Sequence, residues 1–301
     1  MHRIWATALA VLWAGSAAAD PLTLPQYMAG MTLVKPDAKV AYGGAPQQTA
    51  EVYSPKGRGP FPVVVMLHGG CYSNEVPAAS LSAPAADLAA HGAFVWNVEY
   101  RRVGDPGGGY PGMYQDVGAA IDRLREEAGP RHLDLSRVVL VGHSSGGLLA
   151  LWAAARAKLP TASPLRSVDP LKVTAVVSLS SMGDLKGFSP LLPWICGDDL
   201  NVEQVVGVKS AERPDPFADI SPRALLPLGV PTLSLTGEYD AQLPPYMALY
   251  WRLAAEKKGD RAEVRVLRDA GHFDLVAVQT PAWIEVREAI LKVLADIQPR
   301  P

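Results

Sequence analysis

The sequence predicts an α/β protein: a mostly parallel central sheet flanked by helices, with a cap inserted late in the chain. Three observations carry that reading. Short apolar, β-branched runs recur without the alternation of a half-exposed strand, as expected for strands covered on both faces. Helical segments separate them, and that alternation implies parallel strands joined by right-handed crossovers. Gly and Pro mark the breaks, yet at 27 each in 301 residues they stay below a disordered composition.

The first 20 residues, MHRIWATALAVLWAGSAAAD, have the layout of a secretory signal peptide. Arg3 supplies the positive end, Ile4 to Trp13 the apolar run, and Ala17 to Ala19 the small residues of a cut before Asp20. A spanning helix needs about 20 apolar residues, so a membrane anchor fits less well. The expectation is removal of residues 1–19, export to a periplasm or the outside, and no integral membrane segment afterwards.

From there to Gly59 the chain is rich in Pro and Gly, with one expected strand, Thr49 to Tyr53. Phe61 to Leu67 and Phe94 to Val98 read as buried strands, with an Ala-rich helix over 79–91 between them. A helix over 111–128 follows, carrying Met113, Val117, Ile121 and Leu124 on one stripe, with Asp122, Arg123 and Glu126 off it. Gly129 and Pro130 stop it. Val138 to Val141 is the next strand and 145–158 the next helix. Val173 to Leu179, Thr232 to Leu235 and Val264 to Leu267 complete the strands, with a helix over 243–258 between the last two. A final helix over 281–297 shows Val286, Ile290, Val293 and Ile297 on one face. The Pro-rich run 183–226 breaks this rhythm and reads as a cap over one end of the sheet. The expected organisation is therefore one domain over 20–301, cap included.

Composition narrows the function classes. Lys+Arg 28 against Asp+Glu 30 gives a formal charge of −2, which excludes a strong electrostatic drive toward nucleic acid or an anionic membrane. Two cysteines cannot form a multi-Cys zinc site. Cys71 and Cys196 form a disulfide in an oxidising compartment or stand as two buried thiols. No cofactor and no metal site is expected.

Three segments carry chemistry. Gly142-His143-Ser144-Ser145-Gly146 follows a strand and opens a helix, the context a G-x-S-x-G nucleophile elbow requires. Such a turn exposes the Ser144 hydroxyl, which needs an adjacent base to become a nucleophile. His68-Gly69-Gly70-Cys71 ends the strand before it. A Gly-rich turn lets backbone amides approach a developing oxyanion, and the amides of Gly70, Cys71 and Ser145 are the expected donors. His68 reads as a brace for that loop, and Cys71 as a packing residue that contributes only its amide. Asp240 and His272 follow the last two strands, with room between them for one helix and one strand. His272 is expected to take and return the serine proton, with Asp240 holding its tautomer. Glu238 and Asp269 are rival acids expected to brace loops. His91, His132 and His143 are poorly placed as bases.

The order Ser144, Asp240, His272 resembles that of the α/β-hydrolase superfamily, whose fold the chain covers from about 48 to 297. His68 to Tyr72, Glu99-Tyr100-Arg101-Arg102, and Tyr110-Pro111 with Asp116 resemble the small esterases and arylformamidases related to the prolyl oligopeptidase catalytic domain. The chain departs from the hormone-sensitive-lipase-like branch, because Cys71 replaces the third glycine of HGGG and Gly107-Gly108-Gly109 replaces a Pro-Glu stretch. The resemblance implies a structural Arg101–Asp116 pair. It also implies a serine carboxylesterase for small ester substrates, with an arylformamidase or small-peptide amidase as the alternative. Tyr72, Phe188 and Trp194 are the expected substrate-pocket residues, with Leu191, Leu192 and Ile195 beside them in the insertion. A non-catalytic binding module of this fold is disfavoured because all three triad positions are present.

Overall fold

The computed structural model describes residues 20–297. The segment read as an export signal, residues 1–19, lies outside the described residues. The sheet has eight strands: β1 (Ala38–Ala41), β2 (Thr49–Tyr53), β3 (Phe61–Leu67), β4 (Phe94–Val98), β5 (Leu133–His143), β6 (Ala175–Leu179), β7 (Thr232–Gly237) and β8 (Ala262–Leu267). Their order is β1-β2-β4-β3-β5-β6-β7-β8. β1 and β2 pair antiparallel and β2 is antiparallel to β4, whereas every pairing from β4 to β8 is parallel. The fold is that of an α/β-hydrolase, as the motif order implied.

Both faces of the sheet are covered, which accounts for the unbroken apolar strands. Alternate residues of each strand feed opposite cores. Val63 and Val65 face a core containing α3 (Gly112–Ala128), α4 (Ser145–Ala154) and α8 (Pro245–Lys257), whereas Val64 and Met66 face one containing α2 (Ser82–Ala90) and α9 (Pro281–Asp296). The stripe expected on α3 is fully buried at Met113, Val117, Ile121 and Leu124.

Three elements differ from expectation. β5 begins at Leu133, because Leu133 and Asp134 pair with Phe61 and Pro62 before a register shift. Polar Asp134, Ser136 and Arg137 hide that extension, and they bond to one another there. β1 is a four-residue edge strand whose residues alternate between partly buried and exposed, too short for a pattern. The Pro- and Gly-rich N-terminal stretch also contains α1 (Leu24–Gly30), held by a Thr23–Gln26 capping box with a proline in its first turn.

The long connection between β6 and β7 holds the cap, built from the short helices α5 (Leu185–Phe188), α6 (Leu192–Cys196) and α7 (Val202–Val206). Among the described residues, no helix is long and apolar enough to cross a membrane.

Candidate active site

Parallel strands bring their carboxyl ends to one edge of the sheet, where ligands bind in open α/β folds. β3 ends at His68 to Tyr72, β5 at Ser144, β7 at Asp240, and β8 leads into the loop of His272. All four segments thus meet at one edge.

Ser144 is at φ +56° and ψ −124°, a strained conformation for a residue with a Cβ. Its neighbours make the turn possible. A Cβ at Gly142 would lie 2.1 Å from the Gly146 carbonyl oxygen, and one at Gly146 would lie 2.1 Å from that of Leu67. Ser145 is the first residue of α4, so its amide has no acceptor within the helix.

The loop after β3 carries three consecutive left-handed residues: Gly70 at φ +109°, Cys71 at +53° and Tyr72 at +63°. It runs so close to the elbow that a Cβ on Gly69 would sit 2.9 Å from Ser144 Cβ. Fully buried His68 braces this loop. Its Nδ1 lies 2.8 Å from the Gly69 carbonyl, its Nε2 lies 3.2 Å from Glu99 Oε1, and its ring stacks on Tyr100 at 4.4 Å. The Tyr100 hydroxyl donates to the His68 carbonyl at 2.7 Å. Arg101 clamps Asp116 with two bonds of 2.8 and 2.7 Å, the structural pair that the resemblance implied.

His272 Nδ1 donates to Asp240 Oδ2 at 2.9 Å. The other carboxylate oxygen accepts the amides of Gln242 and Leu243 at 3.0 and 2.8 Å. Burial alone would raise the Asp240 pKa. The His272 hydrogen bond, the His272 charge and the Leu243 amide outweigh it and hold the carboxyl below its usual range. The rivals stand elsewhere: exposed Glu238 accepts the Asp269 amide at 3.3 Å and braces the β8 loop.

His143, the variable residue of the elbow, donates from Nε2 to the His272 carbonyl at 3.0 Å, and the two rings lie 4.7 Å apart. Burial, then the neighbouring His272 charge, lowers its pKa to about 3. It is a neutral donor that holds the backbone of the His272 loop.

Ser144, His143 and His272 open onto one cavity of about 490 Å³, with Gly69 to Cys71 along its floor. A second niche of about 10 Å³ lies on the Ser145 side, among Tyr72, Leu148, Met182, Leu192, Ile195 and Leu243. Tyr72 is therefore at the site.

Phe188 and Trp194 are not, and this corrects the expectation. Phe188 turns its ring onto α8, 5.6 Å from Tyr250 and 6.3 Å from Tyr246. On α6, Leu192, Ile195 and Cys196 share the inward face at i, i+3 and i+4. Trp194 falls between them, points away and is 69% exposed. Cys71 is also more than a packing residue. It is bonded to Cys196, with Cα atoms 5.4 Å apart, so the loop after β3 is tied covalently to the cap.

The sequence reading missed the α1 contribution: Leu24, Tyr27 and Met28 line the large cavity. The capping box with its proline is the signal that marks the helix. Among the described residues, no group of three or more His, Cys, Asp or Glu side chains is placed to hold a metal ion.

The BD-FAE family pattern matches residues 50–249, about two thirds of the chain. The chain belongs to the BD-FAE family, an α/β-hydrolase-type esterase family. The BD-FAE match contains Ser144 and Asp240, and His272 follows it. No curated protein matches the chain. Among solved structures, a truncated carbohydrate esterase from gut microbiota is similar at 20% identity and TM-score 0.72, over 89% of this chain and 100% of that one. An inhibited esterase B from Lactobacillus rhamnosis is similar at 18% identity and TM-score 0.73, over 91% of both chains. Thermogutta terrifontis esterase 2 is similar at 19% identity and TM-score 0.68, over 86% of this chain and 92% of that one. These likenesses show a shared fold.

Proposed function

We propose that this BD-FAE chain is a serine carboxylesterase acting through an acyl-enzyme. The observation that carries the reading is the 2.9 Å His272–Asp240 bond beside a strained Ser144 in one cavity. Ser144 Oγ attacks the ester carbon as its proton passes to His272 Nε2. The carbonyl oxygen takes up the negative charge, facing the amides of Gly70, Cys71 and Ser145. Collapse breaks the ester bond, and His272 returns the proton to the departing alcohol oxygen. Water, deprotonated by His272, then releases the acid and restores Ser144. Asp240 stabilises the imidazolium in both halves. No step calls on a metal or cofactor.

The niche beside Ser145 has room for about one water-sized group. That supports a short acyl group such as acetyl, with the larger cavity holding the alcohol. The names of the carbohydrate esterase and of an acetyl ester-xyloside hydrolase among the similar structures support placing acetylated sugars beside simple esters as substrates. We also propose that the catalytic unit is a single domain with its cap, working outside the cytoplasm. The Cys71–Cys196 bond supports the location, since structural disulfides persist in oxidising compartments.

The test is covalent labelling of the folded protein by a fluorophosphonate probe, followed by turnover of p-nitrophenyl esters of rising acyl length. Labelling at Ser144 and fastest turnover of the acetate are expected. An unlabelled Ser144 would overturn the serine mechanism. Faster turnover of aryl formamides than of esters would move the chain to the arylformamidase reading.

A further inference from the structure

The α1 helix lies outside the segment matched by the family, yet it forms part of the cavity wall. Its position is held by specific contacts. The Leu22 amide donates to Asp274 Oδ2 at 3.1 Å, and the same oxygen accepts the Gly271 amide at 2.8 Å. The Tyr27 hydroxyl donates to the Ser80 carbonyl at 2.6 Å, and its ring stacks on Phe273 at 5.5 Å. Tyr27 is buried by this packing, whereas Leu24 and Met28 stay 43% and 39% exposed beside the cavity.

Those two side chains are costly to leave in water, so an apolar ligand surface placed on them gains by burial. The chemistry says which part of an ester that is. His272 protonates the departing oxygen, so the alcohol lies on the His272 side of Ser144. Phe273 is the next residue, and α1 is packed on it. The acyl niche is walled by Ser145, Leu148 and Tyr72, with neither His272 nor Phe273 in its lining. Asn74, Glu75 and Gln242 line the same large cavity and supply polar contacts.

We infer that α1 is the specificity wall for the alcohol, with Leu24 and Met28 receiving the flat apolar face of a ring. An aryl ring and a pyranose both present such a face, and the pyranose adds hydroxyls for the polar side. The inference rests on the esterase reading and deepens it.

The experiment uses the full chain and three acetates that share one acyl group: 2-naphthyl acetate, an acetylated methyl pyranoside and ethyl acetate. The double variant Leu24→Ser, Met28→Ser is compared with wild type and with Leu253→Ser, an exposed position on α8 away from the cavity. The kcat/KM ratio of ring ester to ethyl acetate is expected to fall about tenfold in the double variant, mainly through KM. It should not change in Leu253→Ser. The ring ester that loses more identifies the ring class. Unchanged ratios for both ring esters, or an equal fall for ethyl acetate, would overturn the inference. A wild type inert toward all three acetates, with Ser144 unlabelled, would overturn the esterase reading and this assignment with it.

Discussion

The two halves of the active-site cavity are built by different means. The half that bears Ser144, Asp240 and His272 hangs from the ends of β5, β7 and β8, whose positions are fixed by parallel main-chain pairing. The half that faces it comes from α1 and the cap, which are held by side-chain contacts: a disulfide, ring contacts of Tyr27 and Phe188, buried Leu185, Leu192 and Val205, and hydrogen bonds. Bond-making chemistry tolerates sub-ångström error poorly, and the proposed triad sits on the pleated frame. The proposed selection of the alcohol sits on the tethered half, where side chains can be exchanged without disturbing a strand.

The largest effects are expected in the half built on the strand ends. Ser144→Ala and His272→Ala should each lower kcat by about 10⁴-fold or more, with the folded far-UV spectrum unchanged. Near-native turnover in either would remove the triad. Asp240→Asn should cost about as much, because the amide presents the wrong hydrogen-bond partner to His272 Nδ1. Double-variant cycles with His272→Ala should show the two losses failing to add.

A smaller effect is expected at the tether. Cys196→Ser with Cys71→Ser, or reduction of the wild type, should lower unfolding stability by about 2–4 kcal/mol. Because Cys71 is in the loop expected to hold the oxyanion, kcat should fall too, by a factor well short of the triad losses. Denaturant titration and steady-state kinetics on oxidised and reduced protein separate the two. A reduced enzyme equal to the oxidised one in both respects would show that the cap needs no covalent tie.

The mildest effect concerns His143. Its folded pKa of about 3 lies below the value of about 6.5 expected in the unfolded chain. The unfolded state therefore binds more protons between those values. This stabilisation is complete above pH 6.5 and is lost as pH falls toward 3. Asp240, also lowered, acts in the same direction further into acid. His143→Leu should flatten the fall of Tm with acid over the upper part of that window. The same slope in both proteins would contradict the neutral, buried role given to His143.

The sequence revealed the frame far better than the tethered half, for a physical reason. Val63 to Leu67 and Val138 to Val141 are apolar on both faces, and a strand in that environment carries its pattern locally. The elbow also announces itself locally, since Gly142 and Gly146 answer to backbone a few ångströms away. Asp240 and His272 are legible as candidates because each follows a strand, and their side chains meet at 2.9 Å. Phe188 and Trp194 were misplaced because composition cannot say which way a short helix turns. The spacing of Leu192, Ile195 and Cys196 holds that answer once α6 is known. Cys71 and Cys196, 125 residues apart, offer no local sign of pairing, and α1 rests on a capping box that a Pro-rich stretch conceals.

The bond from the Leu22 amide to Asp274 joins positions 252 residues apart. Loop closure of that span is among the slowest contacts a chain can make, because the intervening elements must be ordered first. β8 and the His272 loop also leave a ribosome after the segments that carry Ser144 and Asp240. The cavity wall is therefore complete only when the α1 segment has met the His272 loop. A nascent polypeptide that stops short of β8 holds Ser144 and Asp240 without the His272 loop, and α1 with nothing to stand against. On the proposed triad, hydrolytic competence reports that these two segments have been made and joined.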